Sequence, residues 1–559
     1  MLEQYSETNL IKQDWNNLFP DGKSFRILFD GDAGELRLLC KYTYDLNEIV
    51  EAFSSNNPNA FFMKKHGLNV PAKLYVVNNF GYFPPGMFYE VIRKIKLKYG
   101  SLAPLAIGKK TMQYVKDYLT PLKDFVANGG LGEGGEEAFV PDNVANDNGK
   151  DIDLREYQSQ IIARLLFRGY GRGLFECPTG SGKSFIIANY IYTLLKRYNS
   201  DMKTLIFVPN VQLVEQFYQD LVSYGYKPEH VTRICGNAKI MKEYREDAKI
   251  FIANRQYVSR HKDLLPPVLD LIICDEAHTL GPDNASAEFI RSLHPKMVVG
   301  CSGTLPRDVY GKYSLIGLIG TIFYKEEVTK LQNEGFLSRL HITSFQITDT
   351  EVQENKNYIF HPNSNIKYDD ESEDGIAYND AYIAEKEYLI SNCQKLFTPV
   401  LRKTRDETRG NVLLLFERLD LGKALFERAK TVFAECGSDV VLRYVDGQTP
   451  VDEREKIRQE CESAKDKRVI LFGQVACLST GINIRNLETL VMLSSSKAIA
   501  RTIQSIGRTL RLFSTKERAN IIDVSFNFKY SHKHYLHRLE LYREFYHKKG
   551  PDAIERAKV

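Results

Sequence analysis

The sequence predicts an α/β protein in which two parallel-sheet domains follow a small α+β N-terminal domain. Short apolar runs recur in two series, one between residues 204 and 301 and the other between residues 411 and 524. The runs lack polar alternation, and helical stretches separate them, which is typical of parallel strands covered by helices on both faces. A chain of 559 residues is long enough to bury several such cores.

The domain boundaries follow from changes in composition. Residues 1–127 are predicted to form the small α+β domain, and residues 128–150, rich in Gly, Asn, Asp and Glu, a flexible linker. The first parallel-sheet domain is expected at 151–335 and the second at 336–530. Residues 531–559 are predicted to form a C-terminal helix whose tyrosines fall at helical spacing and pack on the second domain.

The N-terminal domain shows a clear strand and helix pattern. Its predicted strands are residues 24–29, 35–40 and 73–77, and its predicted helices are residues 46–53 and 87–99. The second helix carries Arg93, Lys94, Lys96 and Lys98. Two interpretations remain open for this basic helix: a clamp on duplex nucleic acid, or a solvated face.

Bulk composition excludes several classes of protein. The net charge of +4 does not decide between partners, and the nine cysteines form no C-x-x-C pair that would suggest zinc or a disulfide framework. The sequence has no run of about 18 apolar residues, and its first residues lack the basic-then-apolar pattern of a leader. We therefore expect no membrane association and a cytoplasmic location.

A glycine-rich loop between a strand and a helix predicts a phosphate site. Its residues are Cys177, Pro178, Thr179, Gly180, Ser181, Gly182, Lys183 and Ser184. The glycines let backbone N–H groups approach phosphates at a helix N-terminus. Lys183 can reach the β- and γ-phosphates of ATP, and the Ser184 hydroxyl can hold Mg²⁺.

An acidic pair follows another apolar run. Asp275 and Glu276 come directly after residues 269–274, so they are expected at the carboxyl edge of the sheet, where open α/β sheets bind ligands. Asp275 is predicted to hold Mg²⁺, and Glu276 to deprotonate the attacking water. Two roles remain open for His278: it could couple the γ-phosphate to the second domain, or it could satisfy a neighbouring carbonyl.

Two arginines near the C-terminus complete the predicted ATPase. Arg508 and Arg511 are three residues apart and share a face of a predicted helix beginning near Ile499. Guanidinium groups match phosphoryl oxygens, and their supply from the second domain would make hydrolysis depend on domain closure. The alternative is a surface helix with two solvated arginines.

With these segments in one order, residues 151–525 resemble the motor core of superfamily-2 helicases, which has two RecA-like domains. Within that superfamily the chain is similar to the phage UvsW-like recombination and branch-migration helicases. Further segments carry the resemblance: 154–158, 208–216, 254–256, 302–304, 413–416, 479–483 and 504–511.

The resemblance implies roles for residues that the local pattern leaves unassigned. It implies nucleotide contacts for Tyr157, Gln158, Gly481 and Asn483, and a catalytic role for Gln504. It implies contacts to a nucleic-acid strand for Pro209, Asn210, Arg255, Gln256 and Thr480. These groups suit phosphate oxygens and demand no base identity. The alternative for Pro209 and Asn210 is that they only end a strand and cap the next helix.

The resemblance also implies a function. It is ATP- and Mg²⁺-dependent remodelling of branched or forked DNA and RNA–DNA hybrids: fork regression, branch migration and R-loop unwinding by a monomer, independent of sequence. A double-strand DNA translocase or restriction motor that leaves strands paired is the alternative with the same fold. A binding protein that uses ATP only as a shape switch is the alternative from another class, and Glu276 argues against it.

Overall fold

The computed structural model describes residues 25–30, 35–40, 49, 75–77, 80–100, 105–145, 152–281, 285–363, 378–464, 467–478, 484, 486–493, 507 and 518–559. The chain divides into two compact units. One comprises Met1–Cys177 and Gly182–Lys325, and the other Pro178–Ser181 and Glu326–Val559. Within the described ranges, no helix has the length and apolar character that crossing a bilayer requires.

A five-stranded sheet opens the first unit. Its strands are β1 (Phe25–Asp30), β2 (Glu35–Cys40), β3 (Tyr75–Val77), β4 (Phe80–Phe83) and β5 (Leu105–Ile107), in the order β3-β4-β2-β1-β5. Helices α1 (Phe88–Tyr99) and α2 (Lys109–Leu119) supply apolar side chains to its core. Phe25, Ile27 and Phe29 share that core because alternate residues of a strand face the same side. The predicted strands at 24–29 and 35–40 and the predicted helix at 87–99 are confirmed; the strand prediction at 73–77 overlaps β3, and the helix prediction at 46–53 lies almost wholly outside the described residues.

Residues 128–145 are not the flexible linker that their composition predicts. They follow the short helix α3 (Lys123–Ala127) and include α4 (Gly135–Ala138). Arg197 donates to the carbonyl of Leu131 at 2.7 Å, and the backbone N–H of Val144 donates to Asn189 at 3.0 Å. Side chains from a distant helix thus satisfy the polar backbone of this segment and order it.

A seven-stranded, all-parallel sheet forms the core of the rest of the first unit. Its strands are β6 (Arg172–Glu176), β7 (Thr204–Val208), β8 (Val231–Ile234), β9 (Ile250–Asn254), β10 (Leu271–Cys274), β11 (Met297–Ser302) and β12 (Ile322–Lys325). Their order is β12-β6-β11-β10-β7-β9-β8. The helices of this part are α5 (Glu156–Phe167), α6 (Lys183–Arg197), α7 (Val211–Ser223), α8 (Ala238–Met241), α9 (Arg255–Val258), α10 (Ala285–Ser292) and α11 (Val309–Leu318).

The strand order brings the predicted site segments to one edge of this sheet. β6, β11 and β10 are consecutive neighbours, and β7 and β9 follow. Because all the strands are parallel, their carboxyl ends meet at the same edge. That edge carries the phosphate loop after β6, Ser302 at the end of β11 and the acidic pair after β10.

A second seven-stranded parallel sheet lies in the second unit. Its strands are β13 (Arg339–Thr348), β14 (Val412–Phe416), β15 (Val440–Val445), β16 (Arg468–Gln474), β17 (Thr489–Met492), β18 (Arg518–Phe526) and β19 (Ala553–Lys558). Their order is β15-β16-β14-β17-β18-β13-β19. The helices are α12 (Val328–Asn333), α13 (Thr350–Glu354), α14 (Tyr378–Ser391), α15 (Cys393–Glu407), α16 (Leu419–Val432), α17 (Val451–Ser463), α18 (Val475–Leu478) and α19 (Lys529–Tyr546).

The C-terminal segment is more than the predicted helix. Tyr535, Tyr542 and Tyr546 of α19 are buried, so the predicted packing on the second domain is confirmed. After α19 the chain returns as β19, which pairs in parallel with β13 and extends the sheet by one edge strand. Residues 531–559 therefore belong to the second sheet domain.

Candidate active site

The phosphate loop has the backbone form that its sequence predicts. Gly180 and Gly182 adopt left-handed conformations with φ of 90° and 80°, which residues with a Cβ rarely adopt. Lys183 begins α6, so the loop residues stand at the N-terminus of a long helix. The Lys183 ammonium donates to the carbonyl of Cys177 at 3.3 Å and is thus held at the loop.

Gln158 lies against this loop. A Cβ placed on Gly182 would come within 2.8 Å of Gln158 Nε2, so the Gln158 amide lies directly against the loop, while the φ of 80° is what favours glycine at residue 182. Gln158 is buried, and its Oε1 accepts the backbone N–H of Arg155 at 3.0 Å, which fixes the start of α5. Neighbouring Tyr157 is also buried.

Asp275 is buried at the carboxyl end of β10. Its Oδ1 accepts a weak hydrogen bond from Cys301 Sγ at 3.2 Å, and β10 and β11 are paired strands. Burial, followed by the negative charge of Glu276, raises the pKa of Asp275 above its ordinary value, while the charge of Lys183 lowers it. A divalent cation would remove this cost of burial.

Glu276 occupies a strained backbone position. Its φ of 48° and ψ of 49° are left-handed, a conformation that costs a non-glycine residue about 1–2 kcal/mol. The turn directs its side chain toward His278, whose Nδ1 lies 3.3 Å from Glu276 Oε2 and 2.8 Å from Ser302 Oγ. Ser302 in turn donates to the carbonyl of Thr304 at 2.7 Å.

Glu276 is held in its ionised form by its neighbours. Burial raises its pKa, but the hydrogen bond with His278 and the charge of Lys183 outweigh burial, and the pKa of Glu276 lies below its ordinary value. An ionised carboxylate can accept a proton from water. The described contacts of His278 are with the carboxylate of Glu276 and the hydroxyl of Ser302, and the two roles that the sequence left open for it stay predictions.

Arg255 does not face the surface that was predicted to meet a nucleic-acid strand. Its side chain is directed inward, the residue is 4% exposed, and its guanidinium lies over the ring of Phe207. It donates to the hydroxyl of Thr279 and to the carbonyl of Asp275. The guanidinium is thus engaged inside the first unit, and the strand contact at Arg255 stays a prediction.

The other described candidates for strand contact lie at the sheet edge. Pro209 and Asn210 follow β7 and are partly exposed, and Gln256, beside Arg255, is exposed. The Asn210 side chain accepts the backbone N–H of Leu213 at 2.9 Å and caps α7. The alternative interpretation of Asn210 as a cap is therefore correct for its side chain, and strand contact there is left to backbone groups.

The remaining predicted residues lie outside the described residues. They are Thr480, Gly481, Asn483, Gln504, Arg508 and Arg511. Their assignments stay predictions.

Two contributors to the site were missed by the sequence reasoning. Cys301 contacts Asp275, and Thr279 donates its hydroxyl to the carbonyl of Glu276 at 2.7 Å. The signal for Cys301 was its position at the end of a strand that neighbours β10. The signal for Thr279 was its spacing of three residues from Glu276, which is that of a single helical turn.

The residues of this site fit magnesium and a nucleoside triphosphate. The loop offers backbone donors with no side chain at Gly182, a lysine at the helix start and a hydroxyl at Ser184. The buried carboxylate of Asp275 is a hard oxygen ligand suited to Mg²⁺. The arrangement can therefore bind phosphates, hold a cation and accept a proton at Glu276.

Comparisons with known proteins agree with this chemistry. Residues 151–307 match the family described as "Type III restriction enzyme, res subunit", and residues 395–513 match "Helicase conserved C-terminal domain". The chain is 26% identical over 382 residues to the ATP-dependent DNA helicase uvsW of Enterobacteria phage T4, a match that covers 67% of this chain and 69% of that protein. It is 23% identical over 397 residues to the putative helicase 22 of Sulfolobus islandicus filamentous virus (isolate Iceland/Hveragerdi), covering 68% and 65% of the two chains.

A solved structure supports the fold. A fragment of a putative HsdR subunit of a type I restriction enzyme from Vibrio vulnificus YJ016 aligns with a TM-score of 0.52 and 15% identity. The alignment covers 72% of this chain and 68% of that chain. At this identity the likeness concerns the fold alone.

Proposed function

We propose that this chain, which is an ATP-hydrolysing helicase of superfamily 2 with two RecA-like domains, remodels branched DNA and RNA–DNA hybrids. The observation that carries the proposal is the match to a phage DNA helicase over 382 residues. A second line of support is the candidate ATP site, whose segments follow neighbouring strands at one edge of the first parallel sheet. We propose further that the protein acts as a monomer in the cytoplasm, that of an infected host if the gene is viral.

The residues of the site divide the work of hydrolysis. Lys183 and the loop N–H groups bind the phosphates, and Ser184 and Asp275 hold the metal. When bound, Mg²⁺ would neutralise charge on the phosphates of ATP, the substrate whose γ-phosphoryl group water would attack. Glu276 orients that water and accepts its proton. Its lowered pKa keeps the carboxylate ionised and able to accept that proton. By analogy with the superfamily, Gln504, Arg508 and Arg511 act on the same phosphates.

Strand contact is proposed at the same sheet edge as the ATP site. Pro209, Asn210 and Gln256 follow β7 and β9, which are neighbouring strands. Peptide N–H groups and an amide suit phosphate oxygens and do not read bases, so binding is expected to be independent of sequence and to weaken as salt rises. Thr480 is the proposed contact from the second domain.

The N-terminal domain is proposed to contact the duplex beside the branch. On α1, Arg93, Lys96 and Lys98 are exposed, and the apolar Tyr89 and Leu97 are 58% and 70% exposed. Cationic groups attract phosphates, and exposed apolar side chains between them can pack against sugar or base surfaces. This combination favours the clamp over the solvated face for the basic helix.

The N-terminal domain is joined closely to the first parallel-sheet domain. Gly86, at the start of the turn before α1, approaches α11 so closely that a Cβ would lie 2.4 Å from the carbonyl oxygen of Ile316. Tyr313 of α11 packs against the cores of both domains and donates to Glu90 at 3.5 Å. Helix α11 follows Ser302–Thr304, which lies at the sheet edge of the ATP site. Duplex bound by α1 would therefore lie on an element that is connected directly to that edge.

A second candidate function is a double-strand DNA translocase or restriction motor. The match of residues 151–307 to a restriction-enzyme subunit family favours it. Such a motor would hydrolyse ATP and move on duplex while leaving the strands paired. The residues of the ATP site are the same for both candidates, so only the fate of the strands distinguishes them.

A strand-displacement panel tests the proposal. Forks, four-way junctions, R-loops and plain duplexes are incubated with the full chain, with and without ATP, and Glu276→Gln serves as the inactive variant. We expect ATP-dependent separation of the branched substrates and R-loops. ATP hydrolysis with every substrate left paired would support the translocase instead, and absence of hydrolysis would contradict both candidates.

A further inference from the structure

Arg255 connects the start of α9 with the turn after β10, two segments that are about 20 residues apart in the sequence. It is the first residue of α9, directly after β9, and its neighbour Gln256 is exposed at the sheet edge. Its own side chain runs inward beneath the turn that follows β10. An arginine is rarely buried unless its donors are engaged, so the contacts of this guanidinium indicate what it does.

The guanidinium contacts the backbone of the acidic pair and not its carboxylates. Nη2 donates to the carbonyl of Asp275 and lies 3.4 Å from the carbonyl of Glu276. Nη1 donates to the Thr279 hydroxyl, which itself donates to the Glu276 carbonyl at 2.7 Å. One planar fork therefore spans the whole turn from Asp275 to Thr279.

This turn needs such support. Glu276 is in the left-handed region, and a residue with a Cβ persists there only when its surroundings fix it. If the turn relaxed, the carboxylate of Glu276 would move away from His278 and from the position of the attacking water.

The segment that carries Arg255 is itself fixed at the strand-binding edge. Asn254 donates to the carbonyl of Pro209 at 3.3 Å, and its side-chain oxygen accepts the backbone N–H of Tyr257 at 3.1 Å. The backbone of Arg255 is thus fixed by contacts at the ends of two neighbouring strands, β7 and β9. With its backbone fixed, the guanidinium can hold the turn from Asp275 to Thr279 in one position.

We propose that Arg255 is a positioning residue for Glu276: it holds the turn that aims the catalytic carboxylate, and contacts neither phosphate nor nucleic acid. The inference rests on the proposed function only in taking Glu276 as the base for ATP hydrolysis. It assigns to Arg255 a role in kcat, with none in nucleotide affinity.

The first test separates kcat from nucleotide binding. Arg255→Met keeps the apolar stem and removes every donor, Arg255→Lys keeps one charge, and Arg260→Met changes an exposed arginine of the same segment. For Arg255→Met we expect kcat to fall by about 10²-fold, as misplacement of a catalytic group by about 1 Å can cause. Binding of a fluorescent ATP analogue with Mg²⁺ should stay within about twofold. Arg255→Lys should recover part of kcat, and Arg260→Met should match the wild type.

A double-mutant comparison distinguishes positioning from general damage. If Arg255 acts through Glu276, adding Arg255→Met to Glu276→Gln should lower single-turnover hydrolysis no further. Additive losses, an unchanged kcat in Arg255→Met, or a loss of analogue affinity equal to the loss of kcat would each overturn the inference. If Arg255→Met does not fold, the same criteria apply to Arg255→Lys. Wild-type protein without ATPase activity would count against the proposed function and not against this inference.

Discussion

The two parallel sheets have the same number of strands but use buried charge in opposite ways. In the first sheet domain, Asp275 and Glu276 stand at the carboxyl edge beside Lys183, and the lysine donates to a loop carbonyl. In the second, Asp523 and Arg538 are paired directly, with Nη2 of Arg538 2.7 Å from Asp523 Oδ1. The same types of side chain therefore form an open cluster at the proposed ATP site in one domain and a closed pair in the other.

The second pair is satisfied by its partners. Asp523 also accepts the hydroxyl of Tyr542 at 2.7 Å, and Arg538 donates to the carbonyl of Val524 at 3.2 Å. Burial lowers the pKa of Arg538, but the carboxylate of Asp523 outweighs burial and raises it above its ordinary value. This network fixes α19 to β18 and leaves no charge for a ligand to neutralise.

The first group is arranged to receive a ligand. The pKa of Asp275 is raised and that of its neighbour Glu276 is lowered, so the two adjacent carboxyl groups differ in acidity more than free Asp and Glu side chains do. Groups perturbed in opposite directions in one site are typical of catalysis. The comparison teaches that the degree of pairing, and not burial or charge alone, distinguishes the edge proposed to be catalytic from the structural core.

The largest effect is expected at the catalytic edge. Glu276→Gln keeps the size of the side chain but removes the proton acceptor, so kcat for ATP should fall by about 10²–10⁴-fold. Unfolding temperature should change little, because glutamine has nearly the same size and its amide oxygen can keep the contact with His278. Steady-state hydrolysis measures the effect, with the exposed Glu288→Gln as the matched control. A variant that keeps clearly more than about a hundredth of the wild-type kcat, which is the lower limit of a general-base effect, would place the base elsewhere.

The structural pair should respond in the opposite manner. Arg538→Met leaves the carboxylate of Asp523 buried and unpaired, which should lower the free energy of unfolding by about 3–5 kcal/mol. Urea or thermal unfolding measures this loss, and Arg543→Met on the exposed side of α19 is the control. Equal stability of the two variants would show that the Arg538 pair does not hold the second domain together.

A smaller, pH-dependent effect is expected at His278. The hydrogen bond from His278 lowers the pKa of Glu276, so His278→Ala should raise it. A base must be deprotonated to act, and a higher pKa therefore removes activity on the acidic side while leaving the alkaline side unchanged. The profile of kcat against pH should show its acidic limb moved upward relative to the wild type and to His230→Ala. A limb that stays in place would separate His278 from Glu276.

The local patterns of the chain predicted most of the fold. Fully buried strands such as Thr204–Val208 are continuous apolar runs, so both their existence and their limits were readable. The phosphate loop and the acidic pair were equally clear, since their residue types and flanking elements are fixed by the chemistry they perform. The positions of Lys183, Asp275 and Glu276 followed without any knowledge of distant contacts.

Features that depend on distant partners could not be predicted. Residues 553–558 were predicted as part of the C-terminal helix, but they form β19, whose place depends on pairing with β13 and on Lys403, which contacts Glu555 at 2.5 Å. Residues 128–145 read as a linker until Arg197 is placed beside them. Arg255 looked like a surface arginine because nothing near it in sequence shows the ring of Phe207 or the Thr279 hydroxyl that receive it.

The most direct test of the account is multiple-turnover ATP hydrolysis by Lys183→Ala in the presence of forked DNA. Lys196→Ala, an exposed lysine on the same helix, is the matched control. The account predicts that Lys183→Ala loses DNA-stimulated hydrolysis to the level of a blank without enzyme, whereas Lys196→Ala retains the wild-type rate. A wild-type rate in Lys183→Ala would contradict the assignment of this sheet edge as the ATP site.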